Sequence, residues 1–495
     1  MPGARTHGDG AILPVEPAPD GVMGVRGGVG GISFQFEELL AGANALDGVV
    51  RELDATVTEI DAVRRELFLT ELRTFTSGGP ALAAINDGAQ GAGQVRDAIR
   101  ATGEQVRASY REYEYTEALN AITLRAGLLH PPLLEMGVRL GQGGLAGTQP
   151  GDRDRAEQLV AQLPLMVGSL LGAAVPGSLL GTLTGVLAGQ TDVRAILRAM
   201  VEVPGMAHLK PRPVTVQKVS TTEEPIDTSL PGLIRRAEPL HSGGEGEIAV
   251  IKVPQDEGGG TKSAWVVVIP GTQKGDPPGG SNPIDEGGIV DALAYDSAYL
   301  TPAIRKALRE AGAEAGENVV AVGHSQGGVH AMNLAANKAF LAEFDLKYVF
   351  TAGSPVGGIK PEPGISSLHL EHSQDWVPGC DGAPNADTKD RVTVTLNNPV
   401  RTVEGEDPGL GPGHKLKNYA EGAELVAASS EPSLTASTAA LAGALGAGGA
   451  AVAGSNAPRM TVTRFKLTRE SMPTPAPAER VRPRAPENRS EAGWR

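Results

Sequence analysis

One cysteine, Cys380, stands in 495 residues. That excludes an intramolecular disulfide and any metal centre of clustered thiolates, and a lone Cys without a His-rich setting reads as inert. Positive charge is also in deficit. Against 58 Asp and Glu stand 44 Lys and Arg, and the net charge of −14 argues against a nucleic-acid binder. No basic region followed by an apolar core opens the chain. Residues 1–31, rich in Gly and Pro, therefore read as a flexible arm, and no cleaved secretory signal is expected. Charge is missing altogether from residues 158–191. That length would span a bilayer, or fold as two short buried helices broken at Val175-Pro176-Gly177. Pro164, Pro176 and the absence of flanking anchors favour the second reading.

The composition is otherwise that of a folded chain, 40% hydrophobic and 21% charged, long enough for two or three domains. Its organising stretch is Asn318-Val319-Val320-Ala321-Val322-Gly323-His324-Ser325-Gln326-Gly327-Gly328. A β-branched run ends in Gly-x-Ser-x-Gly, and an apparent helix follows from Val329. This is the strand–turn–helix context of a nucleophile elbow, whose strained serine needs small neighbours two places to either side. Gly323 and Gly327 meet that need, which makes Ser325 the candidate nucleophile, with His324 in the elbow.

Strands are expected at Val214 to Ser220, Glu247 to Pro254, Ser263 to Pro270, Tyr348 to Pro355, Ile365 to Glu371 and Arg391 to Leu396. Gly288 to Ala311 and the segment after Ser325 read as helices. The alternation predicts an α/β fold with a doubly wound, mostly parallel sheet. The arrangement resembles the α/β-hydrolase fold, whose order of Ser, acid and His implies an acid after one later strand and a His after the next, both reaching the sheet edge that carries Ser325. Asp375 and His414 occupy those places. A neutral imidazole can take the serine proton, and a carboxylate can hold its other nitrogen as donor. Asp381 and Asp390 are rival acids. His369 and His372 precede Asp375 and so break the order of that fold, whereas His324 and His330 lie on the elbow and read as structural. Asp276, Asp285 and Asp291 read as solvated acids. No metal-ligand spacing occurs, and no cofactor is called for.

These motifs resemble the α/β-hydrolase fold of serine esterases, and class-three, fungal-type lipases in particular, over roughly Val214 to Ala427. The elbow, Pro270-Gly271-Thr272-Gln273, Ala-Gly-Ser-Pro at 352–355 and Asp-Trp-Val-Pro at 375–378 carry the likeness. It implies a Ser325–His414–Asp375 triad acting on carboxylic, lipid or acyl esters. It also implies an oxyanion hole from the backbone amides of Gln326 and Thr272. Gln326, where many such lipases carry Leu, is similar to cutinases and mycobacterial-type esterases.

Ahead of this half, Leu46, Val50, Leu53, Val57, Ile60, Val63 and Leu67 recur at helical spacing. Ser77-Gly78-Gly79-Pro80 breaks the run, and a second amphipathic helix follows, so an antiparallel hairpin is expected. It resembles the WXG-type helical hairpins exported by type VII secretion in actinobacteria. Tyr110 to Glu114 and Tyr113 to Glu117 match the Tyr-x-x-x-Glu step of that export signal, although the turn lacks Trp. The resemblance implies a cytoplasmic or exported protein without a cleaved signal. A helical partner or self-association through residues 32–118 is expected with it.

The expected division is an arm over 1–31, a helical domain over 32–205 and the α/β domain over 206–430. An Ala/Gly-rich linker over 431–459, an edge strand over 460–471 and a disordered Pro/Arg-rich tail over 472–495 follow. The competing expectation makes the helical front a partner-binding module and the rest a non-catalytic scaffold.

Overall fold

The computed structural model describes residues 21–30, 32–69, 77–126, 149–162, 192–203, 205–254, 263–274, 279–401, 409–446 and 458–472. For residues 30, 32–39, 112–126 and 243 only the backbone is described. Residues 163–191 of the uncharged stretch and 473–495 of the tail lie outside this set, as do the side chains of Tyr113, Glu114 and Glu117. No described helix is long and apolar enough to cross a membrane.

The β-branched runs form nine strands. They are β1 (Met23–Gly27), β2 (Val214–Pro225), β3 (Glu247–Val253), β4 (Ala264–Ile269), β5 (Asn318–His324), β6 (Asp345–Ala352), β7 (Ser366–His372), β8 (Arg391–Leu396) and β9 (Arg459–Arg469). All belong to one sheet in the order β1-β8-β7-β6-β5-β4-β3-β9-β2. The class is mixed α/β. Neighbours from β4 through β8 are parallel. The pairs β1 with β8, β3 with β4, β9 with β3 and β2 with β9 are antiparallel. The sheet is therefore mixed where a mostly parallel one was expected. Residues 254–263, joining β3 to β4, are too few for a crossover, so the chain returns antiparallel.

The helices are α1 (Ile32–Leu69), α2 (Gly78–Ala126), α3 (Asp152–Gln162), α4 (Val193–Met200), α5 (Leu230–Arg235) and α6 (Glu238–Gly243). They continue as α7 (Glu286–Ala294), α8 (Leu300–Ala311), α9 (Gln326–Ala336), α10 (Lys338–Leu341), α11 (Leu416–Ala427) and α12 (Pro432–Leu445). Period-two alternation decides which of them each strand residue meets. On β4, Trp265, Val267 and Ile269 enter a core shared with α3, α4, α7, α8 and α9. Ala264, Val266 and Val268 point the other way, into a core with α5, α11 and α12. Burial on both faces is why this strand reads as an unbroken apolar run.

Helices α1 and α2 form the expected antiparallel hairpin. Arg64 bonds Asn86, Asp54 pairs with Arg96, and Asp47 with Arg107, so partners rise along one helix as they fall along the other. The expected 32–205 domain, however, divides. Val193, Ile196, Leu197 and Met200 make a buried stripe on α4, and it packs with α3 into the core beneath the sheet.

Further expectations are corrected. Part of the 1–31 arm is strand β1, which covers the β8 edge with Met23 opposite Leu396 and Gly27 opposite Val392. Part of the 431–459 linker is α12, capped by a Glu431 carboxylate oxygen 2.8 Å from the Leu434 amide. Its small residues leave Leu434, Leu441 and Leu445 to fill the core. The 460–471 strand is no edge, since β9 lies between β3 and β2. The helix expected over 288–311 breaks at Asp296 and Ser297, both at φ 56°.

Nor are Asp285 and Asp291 solvated. Asp285, fully buried, accepts from the amides of Gly279, Gly287 and Gly288 at 2.7, 2.9 and 3.2 Å. Arg469 at the end of β9 grips both its oxygens, at 3.1 and 2.5 Å. Asp291 accepts from the Leu300 amide at 3.3 Å, and burial pushes its carboxyl up to about 6.

Candidate active site

Between β5 and α9 stands a single residue, Ser325, at φ 53° and ψ −127°. L-residues rarely hold this conformation, and the surroundings must fix it. The Ser325 amide donates to Ala352 O at 2.8 Å, and its carbonyl accepts from the Gly328 amide at 3.0 Å. A Cβ on Gly323 would sit 2.3 Å from the Gly327 carbonyl, and one on Gly327 would sit 2.3 Å from Ile269 O. Both glycines are needed where the sequence placed them.

The loops after β7 and β8 deliver Asp375 and His414 to the same sheet edge. His414 Nε2 lies 2.9 Å from Ser325 Oγ, and its Nδ1 lies 2.8 Å from Asp375 Oδ2. A carboxylate can only accept, so Nδ1 carries the hydrogen and Nε2 is left to accept from the serine hydroxyl. All three side chains are buried, Asp375 fully. Water therefore competes little for these bonds. The three residues singled out in the sequence meet in one hydrogen-bonded line.

The rivals are engaged elsewhere. His369 bonds Thr351 and Ser367, and His372 bonds Asn398 O. Asp381 accepts from the Gly358 and Ala383 amides, and Asp390 is exposed. His330 meets Ser297 Oγ at 2.7 Å and the Gln326 side chain at 3.2 Å, and burial lowers it to about 3. It is a neutral, structural ring. His324 has a supporting part. Burial and the nearby His414 hold it well below its ordinary value, and its Nε2–H donates to His414 O at 3.0 Å. That bond ties the histidine loop to the elbow.

Sequence reasoning missed Tyr419 on α11. Its hydroxyl donates to Asp375 Oδ2 at 2.6 Å, the oxygen that also receives His414, and accepts from the His372 amide at 3.1 Å. Burial and the Asp375 charge push the phenol well above its ordinary value, so it remains a donor. It lies five positions after His414 and no local pattern marks it. Gly353, in the Ala-Gly-Ser-Pro segment, has φ 61°, and a Cβ there would come within 2.8 Å of Tyr419 and 3.0 Å of Asp375 Oδ2. Replacing Tyr419 with Phe removes one charged hydrogen bond from the acid. If the site turns over ester, kcat should fall about 3- to 30-fold with KM unchanged. Steady-state kinetics beside a thermal melt checks this; a drop in melting temperature with kcat intact would leave Tyr419 only a packing role.

The Gln326 amide is the first of α9, where a helix leaves its N–H groups unpaired. The Gly271-Thr272 loop lies against Ser325, since a Cβ on Gly271 would sit 3.2 Å from Ser325 Cβ. Gln273, also missed, locks this loop from within. Its side chain donates to Leu240 O at 2.9 Å and accepts from the Gly246 amide and Asn282 at 2.6 and 3.0 Å. Ser325 and Thr272 border two cavities of ≈ 320 and ≈ 250 Å³. Among the described residues no cluster of His, Cys, Asp or Glu could hold a metal ion.

No family model, curated protein or solved structure matches this chain.

Proposed function

We propose that the chain is a serine hydrolase built on the α/β-hydrolase plan, and that it cleaves carboxylic esters of lipid or acyl type. The observation that carries this reading is the buried line Ser325–His414–Asp375, with bonds of 2.9 and 2.8 Å, starting from a serine at positive φ. A serine needs neither that strain nor an imidazole nitrogen at its hydroxyl for packing alone. The chain order Ser, acid, His and the parallel centre of the sheet, with helices on both faces, support the fold assignment.

In this reading His414 Nε2 takes the Ser325 proton as Oγ bonds to the ester carbon, and Asp375 stabilises the imidazolium. The former carbonyl oxygen, now an oxyanion, receives hydrogen bonds from the Gln326 and Thr272 amides. Collapse breaks the bond to the alkoxy oxygen, which takes the proton from Nε2 and leaves an acyl-serine. Water then adds through the same base, and the acid is released.

The test is labelling by a fluorophosphonate, which phosphonylates activated serines. The wild-type protein should label and Ser325→Ala should not. Equal labelling of the two would remove Ser325 from the nucleophile role, and no labelling of folded wild-type protein would overturn the reading.

A further inference from the structure

The two cavities at Ser325 differ in one decisive respect: His414 lines the larger and is absent from the smaller. The imidazole that takes the serine proton must hand it to the departing atom, and can do so only within hydrogen-bond reach. The leaving group therefore departs on the His414 side. Gln326 lines the smaller cavity, beside the amide that would hold the carbonyl oxygen. With the ester carbon on Ser325 Oγ, its oxygen on the amides and its leaving group toward His414, one direction remains for the acyl chain.

We propose, resting on the ester-hydrolase reading, that the smaller cavity is the acyl subsite and selects aliphatic acyl groups of medium length. Ile289 and Leu293 of α7, Val329 of α9, and Trp376, Val377 and Cys380 of the acid loop give it an apolar lining, with Lys274 and Glu286 also on its border. Cys380 is a neutral wall atom, because burial pushes its thiol well above the ordinary range. An apolar cavity of about 150 Å³ holds the six carbons of benzene, so by proportion ≈ 250 Å³ holds about ten. The larger cavity is bordered by Glu238, His241 and Lys417 together with Ala237, Leu410 and Leu416, a more mixed wall than that of the smaller one.

The test compares p-nitrophenyl acetate, octanoate and palmitate on the wild-type protein, Leu293→Trp and Leu293→Ala. Wild type should prefer octanoate to both neighbours. Filling the cavity with Trp should lower the octanoate-to-acetate ratio of kcat/KM by about tenfold or more. Emptying it with Ala should move the preference toward palmitate, and this variant carries the test if the Trp protein does not fold. Ester turnover with ratios constant within about twofold in the folded variants would overturn the cavity assignment alone. No ester turnover together with no fluorophosphonate labelling of folded wild type would instead overturn the hydrolase reading beneath it.

Discussion

Asp375→Asn should lower the kcat of the proposed ester hydrolysis about 10⁴-fold while the protein still folds. The size of the loss follows from which oxygen the amide replaces. Asp375 Oδ1 accepts from the Val377 amide at 3.0 Å, a backbone donor that cannot turn away. The carboxamide oxygen must therefore stay there, and its NH₂ must take the Oδ2 place, facing His414 Nδ1. Nδ1 then has to accept, the hydrogen moves to Nε2, and Ser325 meets a donor where it needs a base. The Tyr419 hydroxyl does not prevent this, since its oxygen has a second lone pair besides the one that accepts from the His372 amide. Ester kinetics with a circular-dichroism control measures the effect. A loss under about tenfold would mean that Asp375 does not orient the imidazole.

Arg469→Met should destabilise the fold by about 3–5 kcal/mol. The large value comes from what remains, namely a fully buried Asp285 whose carboxylate keeps three amide donors and loses the guanidinium that bonds both its oxygens. Adding Asp285→Asn should restore part of the loss, because the charge left without a partner is then gone. Urea unfolding of wild type, single and double variants separates these terms. A single-variant cost below about 1 kcal/mol would place the pair among solvated surface bridges, contrary to its burial.

What was legible in the sequence was whatever chemistry keeps local. The elbow declares itself within five residues because strain, small neighbours and the following helix must be adjacent. Asp375 and His414 could be found because each sits just past a strand whose apolar run is plain. Position within the sheet was not legible. The alternation of Met460, Val462, Phe465 and Leu467 showed a strand, but its place between β3 and β2 depends on partners more than 200 residues earlier. Asp285 looked solvated for the same reason, as its cation lies 184 residues on. The strand at 23–27 was hidden by glycine and proline around it, and α12 by a composition of small residues that reads as a linker. Tyr419 could not be recognised because a phenol on a helix becomes part of a triad only when the fold brings the acid loop to it.

The place of β9 has a consequence for synthesis. A nascent chain has made β2 and β3 long before it makes residues 459–469, and among the described residues the only strand that pairs with β2 is β9. Until that segment leaves the ribosome, β3 shows an open edge, β2 lacks its β9 partner, and Asp285 lacks the Arg469 guanidinium that bonds both its oxygens at the start of α7. The elbow, the acid loop and the histidine loop precede β9 in the chain, so the triad is translated before the wall carrying Leu293 can be fixed. Any activity of the proposed site should therefore appear late in translation, and the open β3 edge is a pairing template that the growing chain exposes until then.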